Sequence, residues 1–188
     1  MKPLHNYIWV EVEKTYEDST VINGKEIYIN PTYNPELNAR QHGVVYSVSR
    51  NINNIKVGDK VYCHHFLITD ENRVNFIKDK LIYNIREPFV YATVRKGKLK
   101  MLNNWVFVKQ TEESEENCKT ESGIWIKPEP EEIELHGTLK YINKELKEQG
   151  VKINDKIIFS KDSEYKMNIE GKELMRMRNE DVLAVYNG

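Results

Sequence analysis

The sequence predicts an all-β protein made of one unit used twice, and three observations carry that expectation. Helical periodicity is scarce. The apolar segments alternate or run short and are rich in β-branched and aromatic residues, as in Tyr7-Ile8-Trp9-Val10, Val44-Val45-Tyr46-Ser47-Val48 and Lys156-Ile157-Ile158-Phe159. The chain also matches itself in four blocks that keep their order, which is what a duplicated supersecondary unit with loop deletions produces.

In chain order, Leu4-His5-Asn6-Tyr7-Ile8-Trp9-Val10 matches Leu102-Asn103-Asn104-Trp105-Val106-Phe107-Val108, with aromatic and β-branched positions in phase. Ile27-Tyr28-Ile29-Asn30-Pro31 then matches Ile124-Trp125-Ile126-Lys127-Pro128. Ile55-Lys56-Val57-Gly58-Asp59-Lys60-Val61 matches Val151-Lys152-Ile153-Asn154-Asp155-Lys156-Ile157. Last, Ile85-Arg86-Glu87 with Val90-Tyr91-Ala92 matches Met177-Arg178-Asn179 with Val182-Leu183-Ala184. Glycine and charge interrupt the strand pattern near Lys96-Gly97-Lys98, so the expected domains are residues 1–97 and 98–188. The best helix candidate, Asn143 to Gln149 before Gly150, is about two turns long and is decoration on a β framework.

Each copy sets a short apolar island between long polar stretches. In the first, polar residues run from Glu13 to Glu26, the island is Ile27-Tyr28-Ile29, and the polar run resumes to His42. In the second, they run from Thr111 to Ser122, the island is Ile124-Trp125-Ile126, and the run resumes to His136. Connections longer than about 12–15 residues inside a small domain are usually functional or disordered. Glu112-Glu113-Ser114-Glu115-Glu116 is too charged to bury.

Composition excludes several classes. The 188 residues carry 28 Lys and Arg against 29 Asp and Glu, a formal charge of -1, without the basic footprint of a nucleic-acid binder. No apolar run approaches the roughly 20 residues of a membrane span. Met1-Lys2-Pro3-Leu4-His5 lacks the apolar stretch of a secretory signal, and Cys63 and Cys118 cannot make a disulfide framework, so a reducing cytoplasm is expected.

An enzyme would need a site, and none is expected. Cys63-His64-His65 is the compact group of soft ligands, but strand neighbours point to opposite faces and no second pair completes a zinc site. His42 and His136 precede the glycines that open a strand in each copy and have no nucleophile in a recognisable setting. No glycine-rich nucleotide motif occurs. Neither a metal nor another cofactor is expected.

The repeated pattern resembles the GroES-like co-chaperonins. In the second copy Gly123-Ile124-Trp125-Ile126 is similar to that family's mobile-loop motif, Gly137-Thr138-Leu139 to its strand opening, Val151 to Phe159 to its Val-x-x-Gly-Asp strand, and Glu180-Asp181-Val182-Leu183-Ala184-Val185 to its closing strand. Ile27-Tyr28-Ile29, Gly43-Val44-Val45, Val57-Gly58-Asp59-Lys60-Val61 and Val90-Tyr91-Ala92-Thr93-Val94 are the counterparts in the first. The resemblance implies two tandem GroES-like, partly open β-barrels. It implies a co-chaperonin that caps a chaperonin ring, with ATP bound by that partner, and a homo-oligomer. It also assigns chaperonin contact to Ile27, Tyr28, Ile29, Ile124, Trp125 and Ile126.

The family's roof hairpin looks absent, since only Ser49 to Asn54 and Asn143 to Gly150 occupy its interval. In this the chain is similar to phage-encoded co-chaperonins, and in its tandem repeat to plastid ones. The alternative from another class is a structural or assembly protein that uses tandem GroES-like barrels without binding a chaperonin.

Overall fold

Segments with period-two apolar pattern pair into two antiparallel sheets of six strands each. The computed structural model describes residues 1–14, 19–28, 40–77, 79–111, 135–161, 163 and 165–186. It divides into two compact units, Met1–Asn103 and Asn104–Gly188. The first holds β1 (Tyr7–Val12), β2 (Ser19–Ile22), β3 (Lys25–Tyr28), β4 (His42–Val48), β5 (Lys60–Cys63), β6 (Leu81–Arg86), β7 (Val90–Arg95) and β8 (Lys98–Met101). The second holds β9 (Trp105–Gln110), β10 (His136–Tyr141), helix α1 (Lys144–Glu148), β11 (Lys156–Phe159), β12 (Tyr165–Ile169), β13 (Lys172–Arg178) and β14 (Val182–Tyr186).

The strand orders are β6-β1-β4-β5-β7-β8 and β12-β13-β9-β10-β11-β14. Five strands of each sheet therefore follow one order, with β1, β4, β5, β6 and β7 in the places of β9, β10, β11, β13 and β14. The irregularities coincide too. The β1–β4 ladder steps over Tyr46 and the β9–β10 ladder over Lys140. The β5–β7 ladder steps over Tyr91 and the β11–β14 ladder over Leu183. Each bulge bends its strand and raises the local twist, which curls a sheet without closing it. Among the described residues neither sheet closes on itself, so the units are not closed barrels, which is consistent with the all-β, tandem GroES-like fold of partly open barrels expected from the sequence.

The Lys96–Gly97 break is the two-residue turn that joins β7 to β8, and β8 completes the first sheet. The interval between β4 and β5 contains no strand, and the one between β10 and β11 contains only α1. Asn143 starts that helix, its Oδ1 accepting the Leu146 N–H at 3.1 Å, and buried Leu146 anchors it to the second core.

Inward positions of the strands build the main core of each unit, and Trp9, Val74 and Ile82 form a smaller cluster in the first. Ile8, Val10, Val45, Val61, Tyr83 and Ile85 fill the first, joined by Leu102. Val106, Val108, Leu139, Ile157, Phe159 and Met177 fill the second. Full burial of each such side chain stabilises by about 1.5–3 kcal/mol.

The turn into β5 and its counterpart into β11 share one device. Gly58 at φ 85° and Asn154 at φ 73° take the left-handed conformation, which glycine and asparagine adopt most readily. The next residue closes the turn: Asp59 Oδ2 accepts the Lys56 N–H and Asp155 Oδ2 the Lys152 N–H, each at 2.8 Å. Asp59 alone is also gripped by Arg95, whose Nε donates to Oδ1 at 2.7 Å and Nη2 to Oδ2 at 2.6 Å. That fork is the main reason the Asp59 carboxyl lies below the usual carboxylate range, with desolvation opposing it.

A group held lower in the folded state than in the unfolded one adds stability above its unfolded pKa. It loses that contribution as pH falls through the folded value. Arg95→Gln is therefore expected to lower the melting temperature of the first unit most at neutral pH. The gap from the parent should close in acid, below the ordinary aspartate pKa of 3.8, as Asp59 takes up its proton. Melting curves followed against pH check this, and a gap independent of pH would show that Arg95 acts through packing alone.

Candidate chaperonin-binding hairpin

Ile27 and Tyr28 of the first apolar island lie on a two-stranded hairpin separate from the six-stranded sheets. Among the described residues β2 and β3 pair only with each other, Ser19 opposite Tyr28 and Thr20 opposite Ile27. The turn is Asn23-Gly24, at φ 50° and 76°, the two-residue form whose twist matches that of paired strands. Asparagine tolerates the left-handed region and glycine adopts it freely, so the dipeptide sets both the turn and the register. Ser19 Oγ donates to Glu26 Oε1 at 2.7 Å and ties the strands together.

Ile27 is 44% exposed and Tyr28 78% exposed. Neighbours on a strand point to opposite faces, so each face of the ribbon presents one of them to solvent. A two-stranded ribbon has little stability of its own, and apolar side chains on both faces leave it with surface to bury on a partner. Ile29 and the second island, Ile124, Trp125 and Ile126, lie outside the described residues.

The polar stretch Glu13 to Glu26 reads in the sequence as one long connection, whereas the structure places β2 and the first half of β3 within it. Asn-Gly between Ser19-Thr20-Val21-Ile22 and Lys25-Glu26-Ile27-Tyr28 was the available signal, the strongest short-range hairpin cue a sequence carries.

Cys63 ends β5 fully buried, and desolvation pushes its thiol up to about 12, which suppresses the reactive thiolate. His64 and His65 stack with ring centroids 4.2 Å apart, and His64 Nδ1 accepts the Phe66 N–H at 3.2 Å. No group of three His, Cys, Asp or Glu among the described residues could hold a metal ion. His42 and His136 each begin a strand, His42 beside the Tyr62 ring and His136 Nδ1 2.8 Å from the Tyr186 hydroxyl. No helix among the described residues is long and apolar enough to cross a membrane.

Residues 98–186 match the family model described as Chaperonin 10 Kd subunit. The chain is 37% identical over 74 residues to a protein named Co-chaperonin GroES from Wolinella succinogenes, covering 39% of this chain and 83% of that protein. It is 37% identical over 95 residues to one of the same name from Polaromonas, covering 47% and 96%. A third of that name, from Natranaerobius thermophilus, is 35% identical over 94 residues, covering 46% and 96%. Each relative is thus matched over nearly all its length by less than half of this chain.

Proposed function

The chain belongs to the chaperonin 10 kDa subunit family, and from that premise we propose that it caps a chaperonin ring and assists protein folding through its two apolar islands. The observation that carries this reading is the β2–β3 hairpin. It presents Ile27 and Tyr28 to solvent at the place where the family resemblance puts the loop that contacts the chaperonin. Ile29 continues that anchor, and Ile124, Trp125 and Ile126 form the second.

A hairpin is a suitable carrier. Its turn and cross-strand pairs hold Ile27 and Tyr28 in extended backbone, so less conformational entropy is lost on docking than for an unstructured loop. One or two apolar side chains per site give modest affinity, and several sites around an oligomer recover strength by avidity while leaving the cap removable. In this reading the partner binds ATP, the chain itself is not an enzyme and needs no cofactor, it assembles as a homo-oligomer, and it works in the cytoplasm without nucleic acid or membrane.

The test is co-elution of the purified chain with a chaperonin ring, with and without nucleotide. Nucleotide-dependent co-elution is expected. Failure to co-elute with or without ATP would favour a structural or assembly role for the tandem units.

A further inference from the structure

The two units carry different charge at one matched place beside their first strands. In the first unit a lysine is neutralised there. Lys80 Nζ donates to Glu11 Oε1 and Oε2, each at 2.8 Å, and lies 5.1 Å from the centre of the Tyr46 ring. The strand registers give the counterparts in the second unit. Val10 pairs with Tyr83 as Val108 pairs with Met175, so Lys109 stands in the place of Glu11 and Lys172 in that of Lys80. Lys140, at the matched bulge, stands in the place of Tyr46. The carboxylate and the ring that hold one lysine in the first unit are thus two further lysines in the second.

Lys109, Lys140 and Lys172 line one cleft of about 780 Å³, within the size range of small-molecule sites. Tyr141, Ile153 and Leu174 supply apolar lining, and Ile153 is 51% exposed. β12, which has no counterpart strand between β5 and β6, adds Lys166 to the wall.

Charge in the cleft is one-sided. Lys166 Nζ lies 3.4 Å from Glu173 Oε1, which neutralises that lysine. Lys140 Nζ donates to Asn154 Oδ1 at 3.0 Å, a partner without charge. Among the described residues no carboxylate pairs with Lys109, Lys140 or Lys172, and Glu173 is the acidic residue of the lining. The charge that Glu11 supplies in the first unit has to come here from outside the cleft.

We propose that this cleft binds a small organic anion with two or more negative charges on an apolar body, its charges held by Lys109, Lys140 and Lys172 and its body lying against Tyr141, Ile153 and Leu174. Lysine ammonium groups act as point charges without the planar fork of arginine, so they select charge rather than one anion geometry. The apolar lining selects the rest. An inorganic anion would satisfy the lysines and leave Ile153 wet, and an uncharged apolar molecule would cover Ile153 and leave the lysines unneutralised.

Titration of the full chain with a naphthalene disulfonate, two charges on an apolar ring system, tests the site. One bound probe per chain is expected, with affinity falling as salt is raised. Inorganic sulfate and an uncharged naphthalene sulfonamide should each bind at least about tenfold more weakly. Lys109→Glu gives the second unit the carboxylate that the first has at this place, so it should pair with Lys172 and weaken probe binding at least about tenfold at an unchanged melting temperature. Lys98→Glu, the same charge reversal at an exposed residue of β8, should leave the affinity unchanged.

Absence of saturable binding, equal losses in Lys109→Glu and Lys98→Glu, or sulfate binding as tightly as the disulfonate would each overturn the site. So would a probe that binds only once Glu112, Glu113, Glu115 and Glu116 are all changed to Gln, since the chain's own acidic run would then be the occupant. The site is independent of chaperonin contact. Probe binding without chaperonin co-elution retains it and removes the capping function, and co-elution without probe binding does the reverse.

Discussion

Gly43→Ala is expected to destabilise the first unit by about 3 kcal/mol or more, a large share of the roughly 5–10 kcal/mol that holds a domain of this size together. A Cβ at Gly43 would stand 2.5 Å from Val10 Cγ1, 2.6 Å from the Glu11 carbonyl oxygen and 2.8 Å from Val12 Cγ1. The valines could turn to other rotamers at some cost, but the carbonyl belongs to the β1–β4 ladder and cannot retreat without opening it.

Gly137 stands in the same place in the second unit. Its added methyl would overlap the Val108 Cγ1, while the Lys109 carbonyl oxygen, at 3.1 Å, and Phe159 Cε1, at 3.4 Å, leave room to adjust. Gly137→Ala should therefore cost less, about 1–2 kcal/mol. Thermal or urea unfolding of the two variants checks the order. Equal losses, or a larger loss at Gly137, would show that the β1 backbone yields and that the strand-opening glycine is not a matter of contact.

These glycines mark the division between what the sequence displays and what only the fold contains. Gly43 and Gly137 are visible as matched residues opening matched strands, and the alternation of Val44 to Val48 and of Tyr7 to Val10 is enough to place β1 and β4. The reason for glycine lies in Val10, Glu11 and Val108, which are distant in sequence and meet it only once the register is set. The bulges at Tyr46, Lys140, Tyr91 and Leu183 are equally silent in a single sequence, because an extra residue changes no local propensity. β8 is hidden for a related reason. Lys98-Leu99-Lys100-Met101 is short and half charged, and it is a strand because β7 offers it an unpaired edge. The hairpin that carries Ile27 and Tyr28 differs from these, since Asn23-Gly24 announces it locally and the length of the surrounding polar run draws attention away from the signal.

Removing the apolar anchors should separate binding from folding more sharply than any other change in the chain. In the variant Ile27→Ser with Tyr28→Ser, side chains already 44% and 78% exposed give up little native packing, so the melting temperature should move by no more than a surface substitution moves it, within about 0.5 kcal/mol. Chaperonin binding should fall by about 1–3 kcal/mol for each anchor lost, and avidity multiplies that loss around an oligomer. Ile124→Ser with Ile126→Ser tests the second island in the same way, and comparing the two variants shows whether the islands bind equally.

Ile157→Ser is the control for unfolding. That side chain is fully buried on β11, and replacing it leaves both a cavity and a hydroxyl in an apolar core, a loss of about 3 kcal/mol or more. The measurement is binding per folded molecule, titrated against a chaperonin ring with nucleotide after melting curves have fixed the folded fraction of each variant. If the Ile27 and Tyr28 variant melts as Ile157→Ser does while its folded fraction binds as the parent does, the hairpin is a structural element and the apolar islands are not the means of contact. If it folds normally and fails to bind, the exposed faces of β3 are the anchor. The affinity left in each pair of substitutions then measures how the two halves of the repeat divide the work of holding the partner.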